Sequence, residues 1–316
     1  MAFFQEPEPP RGVPLDVLPG IRRIVARNPS VMTYHGTNTY LIDGSDGLTV
    51  LDPGPNDPVH VDDILRAAGD ARIARIILTH THGDHYGAVA TLHAATSAPV
   101  YAYRISGKPE FKADFGMDDG DAVAGLRAVF TPGHAADHLC FEYHVEGTGK
   151  ILFSGDHVMS WSSSIVSPPD GDMLAYYRSL ELLLARDDVL YLSGHGPALP
   201  EPRKLTAELL AHRQYRERTI LHELEQQPWV IGALSAKLYA KTDLWLQKAA
   251  ERNVLAHMLK LKAEGVAIEL ESHPVQNVAM HPDMITEVER ETGDNVSKMA
   301  RDAARRFAVH PDRARN

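Results

Sequence analysis

Four side chains able to bind a metal ion stand within six residues. The run Ile77-Leu78-Thr79-His80-Thr81-His82-Gly83-Asp84-His85 takes an apolar stretch straight into three histidines and an aspartate. His80 and His82 are two apart, so on an extended chain both point to one side. Gly83 permits a sharp turn. Asp84 and His85 then arise from the turn or from the first residues of a helix. Imidazole nitrogen with carboxylate oxygen suits zinc, and also iron or manganese. Three later stretches repeat the design: an apolar run, a small residue or glycine, then one ligand-type side chain. They end in His134, Asp156 and His195. Loops at strand ends are where rigid scaffolds place chemistry. If these strands end along one edge, seven ligands converge on two ions: His80, His82, Asp84, His85, His134, Asp156 and His195. Three per ion and one shared carboxylate is a natural division for a pair of metals about 3.5–4 Å apart.

The elements that must position these residues read as follows. Short runs rich in Val, Ile, Leu and Tyr recur from about Ile21 to Gly196, namely NTYLID, LTVLD, RIILTH, LRAVFT, ILFSG and VLYLSG. They have strand character. Helix patterns lie between some of them, over Pro58 to Ala68 and over Asp172 to Arg186 with Asp172 as N-cap. Strands with interspersed helices imply an α/β layered domain. After Pro202 the texture changes. Leu205 to Gln226, Ile231 to Tyr239 and Leu244 to Lys262 read as three helices, followed by the strand-like VAIEL. That order is the order of a winged-helix module. Met284 to Phe307 reads as one further helix.

The 316 residues are 44% hydrophobic and 23% charged, an ordinary globular composition. There is no apolar run near twenty residues and no basic, apolar leader, so neither a membrane span nor a secretory signal is expected. The net charge of -10 is uneven. Residues 1–200 carry 14 basic and 25 acidic side chains, whereas 201–316 carry 18 and 17. Neither half has the basic footprint of a strong nucleic-acid binder. The one cysteine, Cys140, excludes an intrachain disulfide and fits a cytoplasmic location. It sits in the alternating stretch HLCFEYHV with no activating partner in sequence and reads as a small buried residue. His138 and His157 stand beside ligands and are candidates for supporting them. The other histidines, among them His35, His60, His93 and His144, read as ordinary.

These motifs resemble the metallo-β-lactamase superfamily. Its HxHxDH signature matches His80-Thr-His82-Gly-Asp84-His85, and its later histidine, aspartate and histidine match His134, Asp156 and His195 in order. Gly36-Thr-Asn-Thr-Tyr-Leu and Leu51-Asp-Pro-Gly54 look like its opening strands. The resemblance covers about residues 20–200. It implies an α/β fold, the αββα sandwich, with metals at one edge of two sheets. It also implies that His80, His82 and His134 hold one metal, that Asp84, His85 and His195 hold the other, and that Asp156 bridges. The second signature position is His82 and not a glutamate, which departs from the di-iron flavoprotein branch and favours zinc hydrolysis. The stretch His212-Arg213-x-x-Arg216 and the helices after it resemble the β-lactamase-like protein 2 group, which carries a winged-helix domain. The expected organisation is therefore an N-terminal arm over 1–19, a catalytic domain over 20–200, a small mainly helical winged-helix-like domain over 201–270, and a helical extension over 271–316.

The expected reaction is hydrolysis by metal-bound hydroxide, with Zn2+ at two per chain and Fe or Mn as alternatives. Asp84 is the candidate catalytic residue, holding metal and orienting the nucleophile. The fold does not choose the substrate. A carboxylic ester, thioester or lactone comes first, on a small molecule or an acyl carrier, because the catalytic half is acidic. A metal-dependent endoribonuclease acting on RNA is second. A non-enzymatic nucleic-acid-binding protein with structural metals is third. Candidate substrate-binding residues are Tyr86 and Tyr176 near the ligands, and Arg213 and Arg216, which share a helix face. Self-association into a homo-oligomer stays open, and no membrane partner is expected.

Overall fold

Residue alternation along the strands dictates how the layers stack. In β10 (Leu139–Val145), Leu139 and Phe141 point to one face and Cys140 to the other. In β11 (Gly149–Gly155), Ile151 and Phe153 share the first face and Leu152 the second. Both faces are apolar, so this sheet must be covered on both sides.

The computed structural model describes residues 1, 3–240, 244–271 and 296–312. The first sheet has seven strands in chain order: β1 (Leu15–Leu18), β2 (Ile21–Val25), β3 (Asn38–Ile42), β4 (Leu48–Leu51), β5 (Ile73–Ile77), β6 (Val100–Tyr103) and β7 (Phe115–Met117). The first four form an antiparallel meander, and β4 to β7 run parallel. Two crossover helices cover its outer face, α1 (Pro58–Ala68) and α3 (Val89–Thr96). Asp57 starts α1 by accepting from the Val59 amide at 3.0 Å, and Pro58 occupies the first turn, where no amide is needed. Val61, Ile64, Val89 and Leu92 pack on Leu41, Val50, Ile76 and Leu78.

The second sheet has six strands in the order β13 (Leu199–Pro200), β12 (Leu190–Ser193), β11, β10, β9 (Leu126–Phe130) and β8 (Ala122–Val123). Its inner residues Leu139, Phe141, Ile151, Phe153 and Leu192 meet Ile21, Tyr40, Ile42 and Ile77 of the first sheet. Its outer face is covered by α4 (Met173–Leu184), which joins the parallel pair β11 and β12. Asp172 caps α4 by accepting from the Ala175 amide at 2.8 Å, as the sequence suggested. The result is a four-layer αββα sandwich, the fold class that the resemblance implied.

The long helix α5 (Pro202–Gln226) belongs to two cores at once. Leu205 and Leu209 pack with α4 on the second sheet, while Ile220 and Leu224 enter the core of the C-terminal module. A helix carries the connection, so no loose linker separates the parts. The module continues with α6 (Ile231–Leu238), α7 (Leu244–Ala263), α8 (Val296–Ala303) and a small antiparallel sheet. That sheet runs β14 (Trp229–Val230), β16 (Arg306–Val309), β15 (Ala267–Leu270).

Two expectations are corrected here. The helix read over Met284 to Phe307 and the helical extension over 271–316 do not hold at their end. Arg306–Val309 is the central strand of the module's sheet, and Phe307 is fully buried in its core. Residues 272–295 lie outside the described residues. The arm expected over 1–19 is also not separate from the catalytic domain throughout, because Leu15–Leu18 pairs with β2 at the sheet edge. Among the described residues no helix is long and apolar enough to cross a membrane.

Candidate metal centre

Backbone bonds between the two sheets bring the ligand-bearing strand ends together. The Leu139 amide donates to the Thr79 carbonyl at 2.7 Å, and the Asn38 amide donates to the Gly194 carbonyl at 2.7 Å. Thr37 also bridges to His195. The ends of β5, β9, β11 and β12 therefore surround one small volume. The short helix α2 (Gly83–Tyr86) turns Asp84 and His85 back toward it.

All seven candidate ligands converge. One ligand atom from each of His80, His82 and His134 lies within 4.8 Å of the others, and so do atoms of Asp84, His85, Asp156 and His195. Asp156 spans the two groups. Its Oδ2 is 3.3 Å from His195 Nε2 and 3.7 Å from His134 Nε2, and its Oδ1 is 3.4 Å from His85 Nε2. Asp84 Oδ2 is 3.1 Å from His195 Nε2 and 3.5 Å from His85 Nε2.

Each histidine uses its other nitrogen as a donor to a fixed acceptor, and this sets which nitrogen faces the centre. His80 Nδ1 donates to Thr79 Oγ1 at 3.0 Å. His82 Nε2 donates to Asp170 Oδ2 at 2.9 Å. His85 Nδ1 donates to Asp52 Oδ2 at 2.9 Å. His134 Nδ1 donates to the Ile165 carbonyl at 2.7 Å, and His195 Nδ1 to the Gly36 carbonyl at 3.3 Å. Five bare nitrogens thus face inward. His82 Nδ1 and His134 Nε2 are 3.0 Å apart. Two nitrogens bound tetrahedrally at zinc distances would be about 3.3 Å apart, so the spacing fits a shared ion.

The polar accounting points the same way. His80 Nε2, His85 Nε2 and Asp156 Oδ1 are buried with no hydrogen-bond partner. Orphaned buried polar atoms are rare, and three aimed at one volume are what a cation would satisfy. The electrostatics divide the site. Around the carboxylates, burial disfavours charge on His85 and His195, but Asp84 and Asp156 outweigh it. His195 is raised to about 10, and His85 lies well above its ordinary value. Burial likewise works against the charge of Asp84 and Asp156, and the two histidines hold both well below the usual carboxylate range. On the other side, burial lowers His134 to about 4, helped by His82, and burial with His85 keeps His80 well below its ordinary value. One half of the centre thus demands positive charge; in the other, His80 and His134 offer neutral nitrogens, while burial works against charge on His82 and Asp170 outweighs it and raises that histidine.

A cavity opens onto these ligands. Its remaining walls are Met32, Thr33, Met159, Ile165, Ser167 and Asp170. The four substrate-binding candidates do not line it. Tyr86 faces a separate pocket with Phe111 and His93. Tyr176 is fully buried under the site and donates its hydroxyl to the His157 carbonyl at 3.0 Å. Arg213 is also buried; it donates to the Ser164 carbonyl and faces the Tyr176 ring. Arg216 stacks on Tyr239 at 4.3 Å. Arg213 joins the two parts of the chain, Arg216 packs within the C-terminal part, and neither lines this cavity.

Of the two neighbouring histidines, His138 supports the site. Its Nδ1 pairs with Thr131 Oγ1 at 2.9 Å and its Nε2 accepts from the Asp156 amide at 3.2 Å. His157 is fully buried with neither nitrogen bonded. Two aspartates carry more of the site than the sequence suggested. Asp52 accepts from the Thr79 amide, the Thr79 hydroxyl and His85. The only signal for it was its place in the Leu51-Asp-Pro-Gly54 motif. Asp170 fixes His82 and had no signal beyond lying in the loop after Asp156.

Cys140 is buried between the second sheet and α4, and burial pushes its thiol up to about 12. It is therefore a thiol at neutral pH, unable to act as a nucleophile. Cys140→Ser is expected to keep activity within about twofold of wild type in a turnover assay, whereas a complete loss would restore the thiol as a reactive group.

The comparisons with known proteins agree with this construction. The family model described as Metallo-beta-lactamase superfamily matches residues 32–195, and the Beta-lactamase associated winged helix domain matches residues 231–273. A Drosophila melanogaster protein named Beta-lactamase-like protein 2 homolog is 32% identical over 268 residues, covering 77% of this chain and 88% of that protein. A Passalora fulva protein named Atrochrysone carboxyl ACP thioesterase is 30% identical over 236 residues, covering 71% of this chain and 69% of that protein. Among solved structures, a Beta-lactamase domain protein from Burkholderia ambifaria superposes with a TM-score of 0.73 at 20% identity, covering 95% of this chain and 94% of that one. The chain belongs to the metallo-β-lactamase superfamily, in its branch with a C-terminal winged helix, and is a metal-dependent hydrolase.

Proposed function

We propose that this chain hydrolyses an acyl bond, a carboxylic ester, thioester or lactone, with two zinc ions. In this reading His80, His82 and His134 hold one ion, Asp84, His85 and His195 hold the other, and Asp156 serves both. The catalytic domain is residues 20–200, and the C-terminal module follows. When bound, the ions supply Lewis acidity and an acidified water at neutral pH. The protein's own part is positional. Asp52, Asp170, Thr79 and the carbonyls of Gly36 and Ile165 lock the five imidazoles in the tautomers that face inward. Asp84 lines the cavity beside the ligands and orients what enters it.

One observation carries the choice of substrate. The cavity walls beyond the ligands are mainly Met32, Met159, Ile165, Thr33 and Ser167, with Asp170 as the one added charge. No arginine or lysine is among the described lining residues, so nothing there is arranged to neutralise a phosphodiester. Apolar walls with a few polar groups suit an uncharged acyl group. A groove continues from it, sharing Met32, Met159 and Ile165 and adding Trp161, His212, Arg213, Tyr239 and Leu246; Arg213 is buried there and donates to the Ser164 carbonyl. That is room for a substrate longer than the reacting group. The relative named as an acyl-carrier-protein thioesterase supports the same class.

Elemental analysis of purified protein is expected to find close to two ions per chain, mainly zinc. An ester, thioester, lactone and RNA panel is expected to show turnover on an acyl substrate. No more than one ion after incubation with excess zinc would sink the two-metal reading. Metal-dependent cleavage of RNA, with tight binding that falls steeply with salt, would put the ribonuclease reading first.

A further inference from the structure

The loop between Asp156 and α4 carries two of the contacts that fix the three-histidine set. The Ile165 carbonyl accepts from His134 Nδ1 at 2.7 Å. Asp170 Oδ2 accepts from His82 Nε2 at 2.9 Å, and its Oδ1 accepts from the Ala136 amide at 3.0 Å. The same loop supplies Ile165, Ser167 and Asp170 to the cavity wall. Yet no helix or strand lies between β11 and α4. Its backbone groups need partners from elsewhere if the loop is to hold one shape.

Those partners come from the C-terminal module. Arg213 of α5 donates to the Ser164 carbonyl. Asn253 Oδ1 of α7 accepts from the Val166 amide at 3.0 Å. Arg252 of α7 donates its Nε to Ser167 Oγ at 2.9 Å and an Nη to the Pro168 carbonyl. Arg252 is only 2% exposed, and its other Nη donates to Asp302 Oδ2 of α8 at 2.7 Å. A continuous series of hydrogen bonds therefore runs from α8 through α7 and the loop to His82 and His134. His85 and His195 take their anchors from elsewhere, from Asp52 and the Gly36 carbonyl on the first-sheet side.

We infer that the C-terminal module is a built-in support of the active site: Arg252, Asn253 and Arg213 clamp the loop over residues 164–170 and thereby set how tightly the three-histidine set holds its ion. They are positioning residues, acting through Ile165 and Asp170. The inference rests on the reading of His80, His82 and His134 as a metal site. It assigns this winged-helix-type module a role inside the catalytic centre instead of on nucleic acid. The asymmetry between the two histidine groups gives it a signature that general destabilisation lacks.

The test is zinc competition against a chromophoric chelator on metal-free full-length protein, with thermal unfolding of each metal-free form alongside. Asn253→Leu removes the acceptor for Val166 at similar size. It is expected to weaken one of the two zinc ions by about tenfold, the lower end for lost outer contacts to a metal site, and to leave the other within about twofold. Asn253→Asp keeps the acceptor and is expected to bind both ions as wild type does. Arg252→Met is expected to act like Asn253→Leu and more strongly. Unchanged affinities in Asn253→Leu would overturn the inference, and so would equal weakening of both ions in step with a lower melting temperature. Failure of the underlying reading looks different: wild type itself would then take up fewer than two ions.

Discussion

Asp84→Ala is expected to lower kcat/KM by at least about a hundredfold, or about 2.7 kcal/mol of transition-state stabilisation, and to leave the fold in place. Asp84 sits in the first turn of the short helix after the strand end, with its carboxylate in the cavity and 17% exposed. It packs in none of the apolar clusters, so removing it opens no hole in a core. What it touches are His195 Nε2 and His85 Nε2. Without it, one of the two carboxylates facing that pair is gone, and Asp156 must neutralise whatever cation enters. Outer contacts to a metal site are commonly worth ten- to a hundredfold on the order of magnitude scale, and a direct ligand more. Metal content is expected to fall from about two ions per chain to about one. The metal-free variant is expected to melt within a few degrees of metal-free wild type. Activity above about a tenth of wild type with both ions retained would remove Asp84 from the centre. The isosteric Asp84→Asn separates charge from shape, and it is expected to behave like the alanine variant.

How far the sequence could be read follows from how local each feature is. The His80 to His85 cluster is legible because four ligand types fall within six residues on the end of an apolar run. His134, Asp156 and His195 are legible because each follows a strand and a glycine. Strand runs with interspersed helices make an α/β layering legible, whereas the two-sheet αββα arrangement came from the resemblance; the structure accounts for it in doubly apolar strands such as Leu139-Cys140-Phe141 and Ile151-Leu152-Phe153. Features set by distant contacts were not legible. Asp170 reaches His82 across 88 positions, and Arg252 reaches the Pro168 carbonyl across 84. Arg213 and Arg216 share a face, as their spacing requires, but spacing does not say what that face meets. It meets Ser164 and Tyr176 through Arg213, which joins the two parts, and Tyr239 through Arg216, which packs within the C-terminal part. Tyr176 belongs to the same class: its hydroxyl found a buried carbonyl under the site, a common arrangement for a tyrosine in a core. The strand Arg306–Val309 was hidden because it pairs with segments about 40 and 76 residues away, and no local pattern reports that.

Gly194→Ala is expected to empty the carboxylate half of the centre while the protein stays folded. Gly194 lies between the end of β12 and His195. A Cβ placed there would meet Asp156 Oδ1 at 2.4 Å and His85 Cε1 at 2.6 Å. Neither neighbour can yield cheaply. The His85 ring is held by Asp52. Asp156 follows β11, whose last glycine carbonyl accepts the Gly194 amide at 2.8 Å. The added methyl must therefore displace two ligands. Gly194 has no left-handed backbone conformation, so the substitution brings little strain of its own. Gly133 gives the contrasting case before His134. It has φ +141, and its Cβ would meet the Tyr176 backbone at 2.4 Å, so Gly133→Ala sets a side chain against helix α4. Strain and overpacking together put its cost at about 3 kcal/mol or more, on stability. The two variants divide the roles of the glycines. Gly194→Ala is expected to bind its second zinc at least about tenfold more weakly and to lose about a hundredfold in kcat/KM, with metal-free melting within about 5 °C of wild type. Gly133→Ala is expected to melt far lower even without metal. Zinc competition and calorimetry on both metal-free proteins decide it. Full zinc affinity in Gly194→Ala would mean that Asp156 and His85 do not meet at an ion beside Gly194.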